Sequence, residues 1–119
     1  YVHAEGYAAG ELKHGPIAMI DQDMVVVVLA PKDSWRDKTV SNLEEVKARG
    51  AKILSIGAAS DRHLRELSDI WIPLPELKEQ ALLAYAMTVV VQLLSYEIAL
   101  LKGTDVDKPR NLAKSVTVE

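Results

Sequence analysis

Cysteine and phenylalanine are both missing from these 119 residues. Without cysteine the chain has no disulfide framework, no thiolate metal site and no thiol nucleophile, and it suits a reducing compartment such as the cytoplasm. Without phenylalanine, and with four tyrosines and two tryptophans, any core must be aliphatic, built from Val, Leu, Ile and Ala. An excess of one charge is lacking too. The net charge is -3, and Lys and Arg are scattered along the sequence, so no electrostatic footprint for a phosphate backbone is present and nucleic acid is not expected as a partner. The opening Tyr1-Val2-His3-Ala4-Glu5 has neither an initiator methionine nor the charged-then-apolar layout of a signal peptide, and reads as excised from something longer. Phosphate-cradling glycine patterns are also absent: Gly6, Gly10 and Gly15 have neither GxGxxG nor P-loop spacing, and no cluster of Ser and Thr suited to holding a phosphate occurs.

What is there is a globular composition, 49% hydrophobic and 26% charged. A single domain of this size removes roughly two-thirds of its unfolded surface from water. Met24 to Ala30 is a continuous Val-rich run bounded by Asp21-Gln22-Asp23 and Pro31, the pattern of a parallel strand covered on both faces. Ser41 with Glu44 forms a capping box, Leu43 and Val46 are apolar on one side and Gly50 suits a left-handed position, which together predict a helix from about Ser41 to Arg49. Lys52 to Ile56 and Ile70 to Pro73 are further short β-branched runs, separated by one or two helical turns over Asp61 to Leu67. Strand alternating with helix predicts an α/β fold, a doubly wound three-layer arrangement around a parallel sheet. Three strands make a thin sheet, an open sheet of five or so being more usual, which agrees with a truncation at the N-terminal side. A long helix is expected from about Glu76 to Lys102, ended by Gly103. Its Ala81 to Leu101 stretch has membrane-span length, but Gln92, Ser95 and Glu97 argue for a helix buried on most sides, with no membrane. Residues 104–119 lack a sustained period and read as an extended tail, so the chain divides into 1–103 and 104–119.

Few residues rise above this background as carriers of chemistry. His14, in a polar loop between Glu11-Leu12-Lys13 and Gly15-Pro16, is suited to proton transfer near neutral pH; the plainer alternative is a hydrogen bond to a loop carbonyl. Lys114, followed by Ser115-Val116-Thr117-Val118, would attack a carbonyl carbon if desolvated in a closed site, and is otherwise one more solvated tail lysine. Glu5 and Glu11 are six apart and share no helix face, so they are not an acid–base pair. His3, His14 and His63 have no metal-ligand spacing.

Two segments are more specific than any of these patterns. His3-Ala-Glu-Gly-Tyr-Ala-Ala-Gly-Glu-Leu-Lys-His-Gly-Pro16 resembles the GELKHGP signature of the second sugar-isomerase (SIS) subdomain of the glucosamine-6-phosphate synthase family. Lys102 to Glu119, with Asp107-Lys-Pro-Arg-Asn-Leu-Ala-Lys-Ser-Val-Thr-Val-Glu119, resembles that family's C-terminal tail. The resemblance runs over the whole chain and implies an SIS-type fold. The activity it implies is glucosamine 6-phosphate synthesis from fructose 6-phosphate and glutamine-derived ammonia, with no metal or organic cofactor. It assigns His14 to sugar ring opening at a neighbouring subunit's site. Lys114 becomes the imine-forming lysine, Ala113 beside it contacts substrate, and Ala113 and Val116 line the ammonia route. A homodimer and a glutaminase domain elsewhere in the full-length protein are implied as well. The family's base, a glutamate, and its phosphate-binding Ser and Thr residues are not in this sequence, so the isolated chain is expected to be inactive; the subdomain's first strand and helix are missing as well, which would leave Val25 to Leu29 with an unpaired neighbour. Two alternatives stay open: a non-catalytic sugar-phosphate-binding or dimerisation SIS module, and a related deglycase.

Overall fold

A computed structural model describes residues 1–110. The chain divides into two compact units, Ala4–Met87 in one and Tyr1–His3 together with the chain from Thr88 onward in the other.

Within the first unit, two consecutive 3-10 segments, Ala9–His14 and Pro16–Met19, precede the sheet. The break between them falls at Gly15-Pro16, where proline has no N–H to give. Strands β1 (Val25–Ala30), β2 (Lys52–Ala58) and β3 (Ile70–Leu74) pair in parallel in the order β1-β2-β3. Helices α1 (Arg36–Lys47) and α2 (Arg62–Leu67) make the connections. Register is regular, with Val26 opposite Ile53, Ala30 opposite Gly57 and Ile56 opposite Ile72. Asp69 locks the start of β3, since its carboxylate accepts from Ile53 N–H at 2.7 Å while its own N–H donates to Ile53 O at 2.9 Å.

Alternation along the strands sorts side chains between two faces. One face joins Ala30 and Ile53 to Val40, Leu43 and Val46 of α1 and to Leu64 of α2 in a single aliphatic cluster. Gly57 lies on this face because nothing larger fits: a Cβ there would sit 2.6 Å from Leu64 Cδ2 and 2.9 Å from Ala30 O. On the other face Leu54, Ile56 and Leu74 are buried, but Val25, Val27 and Leu29 of β1 are exposed. The expectation that β1 is covered on both faces is therefore corrected. Each alternate residue is open, because β1 is an edge strand and its outer face has no covering layer among the described residues.

Two other expectations change. Helix α1 starts at Arg36, not at Ser41, so the Ser41–Glu44 pair lies inside a helix and caps nothing. The chain is turned earlier, by the Asp33 carboxylate accepting from Trp35 N–H at 2.8 Å, and Arg36 is then fixed by a distant partner described below. Gly50 does take a positive φ, +93°, as the turn into β2 requires. The long helix, α3 (Gln80–Leu101), forms as expected but is not buried on most sides. Leu83 and Met87 are its buried residues, whereas Leu82, Tyr85, Val89, Leu93, Tyr96 and Leu100 are exposed along one stripe. By length and composition α3 is the one described helix able to cross a membrane.

The second unit contains the end of α3 and the segment after it. Gly103, at φ +67°, ends the helix. Thr104 Oγ1 and N–H both donate to Ala99 O, at 2.9 and 3.0 Å. The Asp105 carboxylate then accepts from the N–H groups of Asp107 and Lys108 at 2.9 and 3.0 Å, an Asx-type turn.

Candidate functional site

The structure places His14 at the last position of the first 3-10 segment, exposed to solvent. This arrangement follows from sequence, since Gly15-Pro16 interrupts the backbone pattern directly after it. A histidine held at a helix end and facing outward is available to a ligand that its own unit does not enclose. Lys114, Ala113 and Val116 fall outside the described residues, so the relation of His14 to Lys114 is not defined by them. Nearby, Tyr7 OH donates to the Glu5 carboxylate, and that bond raises the Tyr7 hydroxyl above its ordinary pKa.

A second polar constellation was not anticipated from the scattered cations. Lys32, Arg36, Ser60, Asp61, Arg62 and His63 line a cleft of about 340 Å³. They follow the carboxyl ends of β1 and β2, the edge where open parallel sheets form crevices. Arg36 and Asp61 are its centre. Arg36 Nε and Nη2 donate to the two Asp61 carboxylate oxygens at 2.7 and 2.6 Å, with both side chains largely out of solvent. Such a bidentate pair is among the stronger hydrogen-bonded arrangements. The guanidinium holds the Asp61 carboxyl below its ordinary value, against an opposing push from burial and with help from Leu64 N–H, which the same carboxylate caps at 3.0 Å. Lys32 Nζ reaches Ser60 Oγ at 3.2 Å and the Glu76 carboxylate at 3.7 Å. Ser60 in turn holds Glu76 below the usual carboxylate range. His63 Nε2 lies 3.5 Å from Glu44.

Arg36 spends its Nε and Nη2 on Asp61 and Lys32 is matched by Glu76, so these pairs brace the starts of α1 and α2. The signal for it was positional: Arg36 and Asp61 are 25 apart in sequence, yet each follows shortly after a strand, and adjacent parallel strands bring those points together. Among the described residues no group of three His, Asp or Glu side chains is disposed to hold a metal ion.

The model of the SIS domain matches residues 1–102 of this chain. This chain belongs to the SIS domain family. The match takes in all of α3, which is therefore an element of that domain despite its apolar length. Curated relatives cover the chain from end to end. It is 55% identical over 120 residues to the isomerizing glutamine–fructose-6-phosphate aminotransferase of Thermus thermophilus, covering 100% of this chain and 20% of that protein. The corresponding enzyme of Pectobacterium atrosepticum is 56% identical over 120 residues, with 100% of this chain and 19% of that protein covered. The SIS-domain chain thus spans about a fifth of the length of these relatives. Among solved structures, the C-terminal domain of glucosamine-fructose-6-phosphate aminotransferase from Francisella tularensis superposes with a TM-score of 0.80 at 42% identity, over 91% of this chain and 30% of that one. The α/β reading with a parallel SIS-type sheet accords with this.

Proposed function

We propose that this chain is the C-terminal part of the isomerase half of a glucosamine-6-phosphate synthase, acting in amino-sugar formation within a longer polypeptide. The observation that carries this reading is end-to-end similarity above 50% identity to isomerizing aminotransferases, through the last residue of the sequence and so through Lys114. The proposed division is an SIS part over residues 1–103 and a functional tail over 104–119. The substrate is fructose 6-phosphate, and ammonia comes from a glutaminase domain of the same protein. A homodimer in the cytoplasm is the proposed state.

In this reading His14 moves a proton during opening of the sugar ring at a neighbouring subunit's site, a role its exposed placement supports. The neutral Lys114 amine attacks C2 of the open-chain ketose. The carbinolamine then loses water, leaving a C=N bond to the lysine nitrogen. Ammonia adds to the protonated imine carbon and the lysine amine departs, leaving an ammonia-derived imine at C2 that withdraws electrons from C1 and so lowers the barrier to moving a proton from C1 to C2, the ketose–aldose shift that yields the 2-amino aldose. Ala113 contacts the bound sugar, and Ala113 with Val116 borders the path of ammonia. The base and the phosphate ligands come from residues outside this sequence, so the isolated chain has no turnover.

Borohydride trapping tests the imine directly. In a chimaera, the chain replaces the segment it aligns with in the Thermus thermophilus enzyme. Fructose 6-phosphate and borohydride should give a reduced secondary-amine adduct at Lys114 in the chimaera and none in the isolated chain, read by peptide mass. A chimaera without adduct at Lys114 would remove the catalytic assignment of the tail and favour a non-catalytic sugar-phosphate-binding SIS module.

A further inference from the structure

His14 is exposed, yet the segment that carries it is tied down. Within Ala9–His14 it is Leu12 that packs, partly buried, against the aliphatic cluster beneath α1, and Ile20, beyond the second 3-10 segment, packs against the same cluster. The first 3-10 segment lies against α1. Leu12 also closes the turn through its main chain: its carbonyl accepts from Gly15 N–H at 3.4 Å, and the Gly15 carbonyl then accepts from Ala18 N–H at 3.0 Å. Gly15-Pro16 separates His14 from Ile20, so Leu12 is the nearer of the two anchors. All of these residues belong to one compact unit.

We propose that Leu12 is a positioning residue for His14: anchored in the core below α1, it fixes where the imidazole stands outside. This rests on the reading of His14 as the proton carrier of ring opening. As the C2–O5 bond of the cyclic ketose breaks, its electron pair goes to O5, which gains a proton, while the C2 hydroxyl loses one and becomes the carbonyl. An imidazole takes part in that transfer only within about 2.6–3.2 Å of the oxygen it serves, and a displacement of about 1 Å can cost on the order of 10²-fold in rate. A 3-10 segment has poorer hydrogen-bond geometry than an α-helix, so its backbone alone is a weak support for such precision. A side chain locked by packing supplies what the backbone lacks.

Two substrates given to the chimaera separate positioning from mere stability. Fructose 6-phosphate must be opened before it reacts, whereas 5-deoxyfructose 6-phosphate has no C5 hydroxyl and a phosphorylated O6, so it has no ring to open. With amino-sugar phosphate read by mass, Leu12→Ala should lower kcat for fructose 6-phosphate roughly tenfold and change turnover of the open-chain ketose by less than about twofold. His14→Gln should show the same selectivity with a larger loss, and Leu12→Met, which conserves volume, should recover most of the rate. Equal losses on both substrates in Leu12→Ala, or no loss on either, would overturn the positioning role while a selective His14→Gln leaves the reading of His14 intact. A His14→Gln chimaera that slows both substrates alike would overturn that reading and this inference with it. If Leu12→Ala does not fold, Leu12→Val decides on the same criterion: a loss confined to fructose 6-phosphate supports the anchor, and an unselective or absent loss refutes it.

Discussion

The two faces of the sheet differ in what this chain supplies to them. On one face, Ile53, Ser55 and Gly57 of β2 and Val26, Val28 and Ala30 of β1 are closed over by α1 and α2, and Leu43, Val46 and Leu64 are almost completely buried. On the other, β1 presents Val25, Val27 and Leu29 at 58%, 43% and 43% exposure. Along α3 a stripe of Leu and Tyr is also open. Strand sequences such as Val25-Val26-Val27-Val28-Leu29 have no polar side at all, so nothing in them is adapted to water. The difference teaches that the described residues close one face of the sheet throughout, whereas on the other they cover Leu54, Ile56 and Leu74 and leave the edge strand's Val25, Val27 and Leu29 open.

The sharpest test of this asymmetry is truncation on each face. Leu43→Ala, beneath α1, should cost about 2–5 kcal/mol, whereas Val27→Ala on the open face should cost under ~1 kcal/mol, both read from denaturant midpoints. Comparable losses at the two positions would break the comparison. Next in size, Gly57→Ala should destabilise by roughly 1–3 kcal/mol through overpacking against Leu64 and the Ala30 carbonyl; a neutral result would mean that α2 is free to move off the sheet.

The brace at the strand ends belongs to the closed half. Asp61→Ala leaves the Arg36 guanidinium with the exposed Asp37 carboxylate alone and α2 without its cap, at a cost of about 1–3 kcal/mol. Its pH signature has a definite sign. The folded-state pKa of Asp61 is depressed, so its contribution is fully present above the unfolded carboxylate value of about 3.9 and is lost as pH falls through the lower folded value. Wild type should therefore lose stability below about pH 4 more steeply than the Asp61→Ala variant; parallel acid profiles would show that the pair adds nothing. Smallest of all is Ser55, whose buried hydroxyl has no hydrogen-bond partner among the described residues. Ser55→Ala should be neutral or stabilising by up to ~1 kcal/mol, and a clear loss would reveal a partner for the hydroxyl.

Much of this was legible in the residues. The Val-rich run, the β-branched runs and the interrupting Gly-Pro located the elements, alternation of strand and helix gave parallel order, and the resemblance gave an open edge at β1. Local patterns misled where distant contacts overruled them. Ser41 and Glu44 have capping-box spacing, yet α1 begins more than a turn earlier because Asp33 turns the chain and Asp61, 25 residues on, anchors Arg36. The apolar count of α3 foretold a burial that this chain alone does not provide. In the candidate site, His14 is exposed where its flanking Gly-Pro put a polar loop, while its role and that of Lys114 rest on the family-like segments. The brace had no local signal, since it joins Arg36 and Asp61, which only the fold brings together.

The central claim is that this chain completes an isomerizing aminotransferase. Its most direct measurement is glucosamine 6-phosphate formed from fructose 6-phosphate and glutamine by the Thermus thermophilus chimaera, alongside the same chimaera carrying Lys114→Arg. Product from the first and none from the second is the predicted result; a folded, dimeric chimaera that makes no product, or one whose activity survives Lys114→Arg, would contradict it.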